Sequence, residues 1–81
     1  MIMGYNGSNS NPSYSIQMDY DGSGNMIYMG LAEPNTITSD SYWQIKRFTY
    51  SGSGNLLSTT WADGNRNFDN IWDNRTDISY S

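Results

Sequence analysis

From Tyr14 onward, apolar and polar side chains alternate along the chain. Ile16, Met18 and Tyr20 are separated by Ser15, Gln17 and Asp19, the period of two expected of a half-buried strand. The run breaks at Asp21-Gly-Ser-Gly-Asn25 and resumes as Met26-Ile-Tyr-Met-Gly-Leu31, which predicts an antiparallel hairpin. The returning strand is apolar on both faces, so something is expected to cover its outer side. The same device recurs in the second half. Trp43–Tyr50 leads into Ser51-Gly-Ser-Gly-Asn55 and returns on Leu56–Trp61. Trp43, Ile45, Arg47 and Thr49 share one face of that strand, and Gln44, Lys46, Phe48 and Tyr50 share the other. Neither face is wholly apolar. The two turns share their chemistry, but the strands flanking them differ, so turn residues selected twice suffice without a duplicated unit.

Between the hairpins, residues 32–42 form a long connection in which Pro34 rules out a central strand. Ile37, its lone large aliphatic, is expected to pin the loop down. After Trp61 the period changes. Phe68, Ile71 and Trp72 stand at i, i+3 and i+4, the spacing of a short helical turn, with Asp63-Gly64 as a turn before it. Thr76–Tyr80 predicts a closing strand through Ile78 and Tyr80. The fold class is therefore mainly β: a small antiparallel, hairpin-based sandwich or barrel with one short helical turn near the C-terminus. Residues 14–81 make a single domain, with Trp43, Ile45, Trp61, Phe68, Ile71 and Trp72 as core anchors. Residues 1–13 hold little that could be buried and read as an extended N-terminal arm. Either the arm is a loose tail, or it lies on a partner through Ile2, Met3 and Tyr5.

Composition sharpens this picture. At 81 residues with 36 % apolar content, a single core is barely sufficient. Seven Tyr, three Trp and two Phe must supply much of the buried area, at about 150–250 Å² each. A chain so built is expected to complete its core against copies of itself or a larger neighbour, with Met26, Tyr28 and Ile37 joining the arm as interface candidates. There is no cysteine and no histidine, which removes disulfides, thiolate metal sites and the usual general base. Net charge is −4, with Lys46, Arg47, Arg66 and Arg75 as the cations. No basic stripe offers itself to nucleic acid. No apolar stretch approaches a membrane span, and the first residues lack the pattern of a signal peptide, so a soluble product of a cytoplasm is expected. The sequons at Asn6 and Asn74 then read as chance matches.

Three constellations could carry chemistry. Asp63, Asn65, Asn67 and Asp69 alternate as calcium ligands do, but Phe68 and Asn74 occupy the positions where an EF-hand needs Gly and a bidentate Glu. Turn and helix capping is the simpler role. Asp69, Asp73 and Asp77, near Arg66 and Arg75, suggest a salt-bridged helix end rather than a paired-carboxylate glycosidase, which needs a deep cleft. Lys46 and Arg47 are expected either to meet acidic neighbours or to stay solvated. The Trp residues could stack on sugar rings, though with so few aliphatics they are needed for the core. No catalytic residue, cofactor or metal is expected.

Three stretches together resemble small structural proteins and domains of tailed bacteriophages. They are Tyr28-Met-Gly-Leu-Ala-Glu-Pro34, Trp43-Gln-Ile-Lys-Arg-Phe-Thr-Tyr50 and Trp61-Ala-Asp-Gly-Asn-Arg-Asn-Phe-Asp-Asn-Ile-Trp-Asp-Asn-Arg75. The third is the specific one, and the similarity spans about residues 16–81. The resemblance implies a non-enzymatic virion component of the neck, tail or fibres, made in the bacterial host cytoplasm. Its partners would be other virion proteins and copies of itself, with no nucleic acid and no membrane. A capsid decoration protein and a carbohydrate-binding module for a host surface are the alternatives.

Overall fold

A computed structural model describes residues 13–81. Ile2, Met3 and Tyr5, and with them nearly all of the expected arm, lie outside the described residues. Four strands, β1 (Ser15–Tyr20), β2 (Met26–Ala32), β3 (Gln44–Tyr50) and β4 (Leu56–Trp61), form one antiparallel sheet in chain order. A single 3₁₀ helix, η1 (Trp72–Asp77), follows. The mainly β, hairpin-based architecture with one short helical turn is as the sequence predicts. Among the described residues the second layer is not another sheet; it is the C-terminal segment folded back over one face.

The paired turns are built alike, down to their hydrogen bonds. Asp21 N–H donates to the Asn25 carbonyl at 2.9 Å, and Ser51 N–H donates to that of Asn55 at 2.8 Å. The side chain opening each turn accepts from the backbone within it. Asp21 Oδ1 takes the N–H groups of Ser23 and Asn25, both at 2.9 Å, and Ser51 Oγ takes those of Ser53 at 3.3 Å and Asn55 at 3.2 Å. Gly24 and Gly54 close the turns at φ 86° and 87°, a left-handed conformation that costs a glycine nothing. Just beyond each three-residue turn the register shifts, with Ile27 and Leu57 as the extra residues of the returning strands.

Register assigns the faces. Gln17, Gly30 and Ile45 are neighbours across β1–β3, as are Asp19, Tyr28, Arg47 and Thr60 across all four strands. This is the covered face. Ala32, Trp43, Ile45, Ala62 and Trp72 make the buried core, with Tyr28, Ile78 and Tyr80 packed on it. Gly30 is what lets η1 approach. A Cβ there would fall 2.6 Å from Trp72 Cε3 and 3.2 Å from Trp43 Cε3. Glycine thus leaves room for both indoles, whose centroids lie 6.3 Å apart. Arg75 stacks its guanidinium 4.6 Å over the Trp72 ring and reaches Asp19 on β1 at 3.0 Å, tying η1 to the far edge strand.

Several expected elements move. The helical turn starts at Trp72 rather than around Phe68, because Asn70 is held in an antiparallel bridge with Trp43 and Ile71 keeps an extended backbone. The closing strand reduces to a bridge between Ala62 and Tyr80, with Ser81 exchanging backbone hydrogen bonds with Trp61. Thr76 and Asp77 belong to η1. Asp63 and Gly64 form a tight turn with φ 57° and 73°. Ile37 does not pin its loop, being 61 % exposed. Its carbonyl does, by accepting the Trp43 indole N–H at 3.0 Å, while Thr38's accepts Asp73 N–H at 3.1 Å.

Candidate functional site: an open sheet face

The opposite face of the sheet carries the side chains that alternate with the core. Its cross-strand rows are Ile16, Leu31 and Gln44, then Met18, Met29, Lys46 and Trp61, then Phe48 and Thr59. Tyr20, paired with Met26, extends it toward the first turn. Here the sequence's most regular signal resolves the other way. The alternation in β1 is present, but Ser15, Gln17 and Asp19 face the C-terminal segment. Ile16, Met18 and Tyr20 point to the open side, exposed by 50 %, 51 % and 53 %. The cause is η1. Arg75 needs Asp19 beneath it, and Trp72 fits only against the bare backbone of Gly30, so the polar side of β1 becomes the inner one.

One cation serves this face. Lys46 Nζ lies 5.2 Å from the Trp61 ring centroid and 5.9 Å from that of Phe48, so its stem covers apolar surface while its charge rests on the ring faces. Neither acidic pairing nor plain solvation describes it; Arg47, on the covered side, is the exposed one. On one flank the 62–70 loop reaches in, Gln44 Nε2 donating to the Arg66 carbonyl at 2.8 Å. The start of β4 adds Leu56 and Leu57, exposed by 54 % and 67 %. Leu56 pairs with Tyr50, and Leu57 is the extra residue at the register shift, so neither enters the core.

The expected anchors and interface residues separate accordingly. Trp43, Ile45 and Trp72 are in the core. Trp61 is half-buried on the open face under Lys46, and Ile71 is half-buried before η1. Phe68 lies outside the core, 38 % exposed and stacked on Tyr14 with centroids 5.7 Å apart, because the loop bearing it crosses the end of the sheet instead of entering a helix. Tyr28 stacks inward against Tyr80 at 5.6 Å. Met26 is half-buried, and its carbonyl accepts the Tyr50 hydroxyl at 2.7 Å. With Trp43 and Trp72 at 0 % and 4 % exposure, those indoles offer no face to a sugar.

The polar constellations serve the chain itself. Asn65 Oδ1 accepts Asn67 N–H at 2.9 Å, and Asp69 Oδ1 accepts the Asn70 side chain at 3.1 Å, so this stretch caps its own turns. Among the described residues, no three His, Cys, Asp or Glu side chains gather to hold a metal ion, and no helix is long and apolar enough to cross a membrane. Asp69, Asp73 and Asp77 stay exposed. Arg75 pairs with Asp19 instead of with any of them. Tyr80 is the one strongly perturbed titrating group among the described residues. Burial, with Tyr28 adding to it and Arg47 and Arg75 opposing, pushes its phenol up to about 12, and its O–H donates to the Arg75 carbonyl at 2.8 Å. That shift holds a proton on a structural phenol. What the surface offers chemically is a flat apolar face of a size suited to another sheet. Comparisons with protein-family models, with curated proteins and with solved structures give no match.

Proposed function

We propose that this chain is a non-enzymatic structural subunit that assembles by covering its open sheet face, and that its setting is a tailed-phage particle. There it would pack in multiple copies in the neck, tail or fibre region. The observation that carries the assembly reading is the row of half-exposed Ile16, Met18 and Tyr20 beside Met29, Leu31 and Phe48. Contiguous apolar surface of this kind marks contact sites in proteins that work in company. The phage setting is supported by the Trp61–Arg75 motif and its two companions.

The first occupant of the face is a second copy of this chain. Four strands about 4.8 Å apart and about 20 Å long present on the order of 400 Å² each, so a face-to-face pair covers roughly 800 Å². A stable pairwise interface needs about 1,000 Å² or more. One such contact alone is therefore weak, and it suits a ring or stack in which each copy makes several. Methionine footprinting tests this directly. In purified tailed particles, the chain should be present in several copies, and Met18 should be oxidised much more slowly than in the dilute free chain. Absence from particles, or equal Met18 oxidation in both states, would overturn the reading.

A further inference from the structure

At the loop end of the sheet lies a groove of about 410 Å³, lined by Tyr14, Glu33, Thr36, Tyr42 and Phe68. Its volume falls in the range of small-molecule sites, roughly 300–1,000 Å³. Strand register builds it. Carried outward, the pairing of Ser15 with Ala32 and of Leu31 with Gln44 brings Tyr14, Glu33 and Tyr42 to the same end of the sheet, where all three line the groove. Phe68 comes in from the 62–70 loop and stacks on Tyr14 at 5.7 Å and 23°, which walls the groove on that side. The Glu33 backbone is fixed by its own turn, its carbonyl accepting Thr36 Oγ1–H at 2.7 Å and Thr36 N–H at 3.2 Å.

Three properties define what would fit. The walls are three aromatic rings, of which Tyr14 and Tyr42 are exposed by 50 % and 64 %, far more than a core would leave. The formal charge in the lining is one carboxylate, with no cation to balance it. Among the described residues, the ion pair is Arg75–Asp19, and the cations over ring faces are Lys46 and Arg75, both on other rings. Glu33 therefore adds an exposed negative charge to the lining of a ring-walled groove, with no ion-pair partner among the described residues. Aromatic faces and a carboxylate together attract a weakly hydrated organic cation, by ring quadrupole and by charge. A sugar would stack on the same rings and donate its hydroxyls to Glu33, so it is the competing occupant that the test must separate.

We propose that this groove binds an organic ammonium group, of the trimethylammonium type carried by choline-like headgroups and methylated lysines. The groove continues the open face one row beyond Ile16, Leu31 and Gln44, so its test is run on the dilute free chain, where its failure is distinguishable from a failure of the assembly. The test is a titration of the full chain with choline and, in parallel, with its uncharged isostere 3,3-dimethylbutan-1-ol and with N-acetylglucosamine, followed by ring-proton NMR. Choline should saturate with shifts confined to Tyr14, Tyr42 and Phe68, and the neutral isostere should bind about tenfold more weakly. Glu33→Gln and Tyr42→Ala alter exposed positions, so both should stay folded by circular dichroism. Each should weaken choline about five- to tenfold. Equal affinity for choline and the isostere would reduce the groove to an apolar slot. Saturable binding of the sugar without choline would make it a glycan site, and no choline shift at the three rings would remove the site. Each of these results overturns the proposal.

Discussion

Gly30 stands where two indole rings meet the sheet, and a methyl group there has nowhere to go. Its nearest neighbour, at 2.6 Å, is the middle of the Trp72 ring rather than the end of a flexible chain. Gly30→Ala should therefore destabilise the fold by about 1–3 kcal/mol, the usual cost of overpacking, as read by urea denaturation. Tyr80 supplies a second prediction, in pH. Its phenol lies at about 12 when folded against 10.0 ordinarily, so the folded state favours the neutral form. The stability this contributes is complete below about pH 10 and is lost as pH rises through 12. Urea midpoints of the natural chain should fall across that window, and those of Tyr80→Phe should fall less. At neutral pH the variant should be weaker by about 1 kcal/mol, for the lost hydrogen bond to the Arg75 carbonyl. An equal decline in both proteins would show that other tyrosines carry the alkaline transition.

The two hairpins were legible in the sequence because everything that makes them is local. A polar side chain opens each turn, glycine takes the positive φ, and alternation flanks both. What could not be read was which side of β1 faces inward. A period of two says that Ile16, Met18 and Tyr20 share a face, but not that the face is covered. That choice is set by residues far along the chain, Trp72 packing on Gly30 and Arg75 meeting Asp19 across 56 positions of sequence. Phe68 misled for a related reason. Its helical spacing to Trp72 is real, yet the backbone bridge from Asn70 to Trp43 starts the helix later. The groove was invisible because its residues come from three separate segments, the start of β1, the 32–42 connection and the 62–70 loop. The Arg75–Asp19 pair, with side chains 25 % and 30 % exposed, should show a coupling of about 1 kcal/mol in a double-mutant cycle of Arg75→Met and Asp19→Asn. Additive losses would mean that Arg75 contributes only through its stacking on Trp72. At the turns, Gly24→Ala and Gly54→Ala should each cost about 1–2 kcal/mol for forcing a side chain into the left-handed region. Both have open space around the added Cβ, so a neutral result could come only from a rearranged turn.

At the scale of the molecule, the described residues close one face of the sheet with the C-terminal segment and leave the other apolar and open. Among the described residues, five buried apolar side chains make a small core on one side of the sheet. The most regular apolar row is on the uncovered side, where a self-sufficient monomer would place polar groups. Other sheets are thus the fitting cover, and the contact should be weak for one pair and strong for many. Sedimentation velocity of the full chain over a wide concentration range tests this most directly, comparing it with Met18→Glu. Met18 is 51 % exposed, so the substitution should change monomer stability by no more than about 0.5 kcal/mol. In the centre of an apolar contact, however, an unpaired carboxylate should weaken association at least about tenfold. The natural chain should associate in a concentration-dependent way that Met18→Glu abolishes at the same concentrations. A natural chain that stays monomeric throughout, or association that Met18→Glu leaves unchanged, would contradict it.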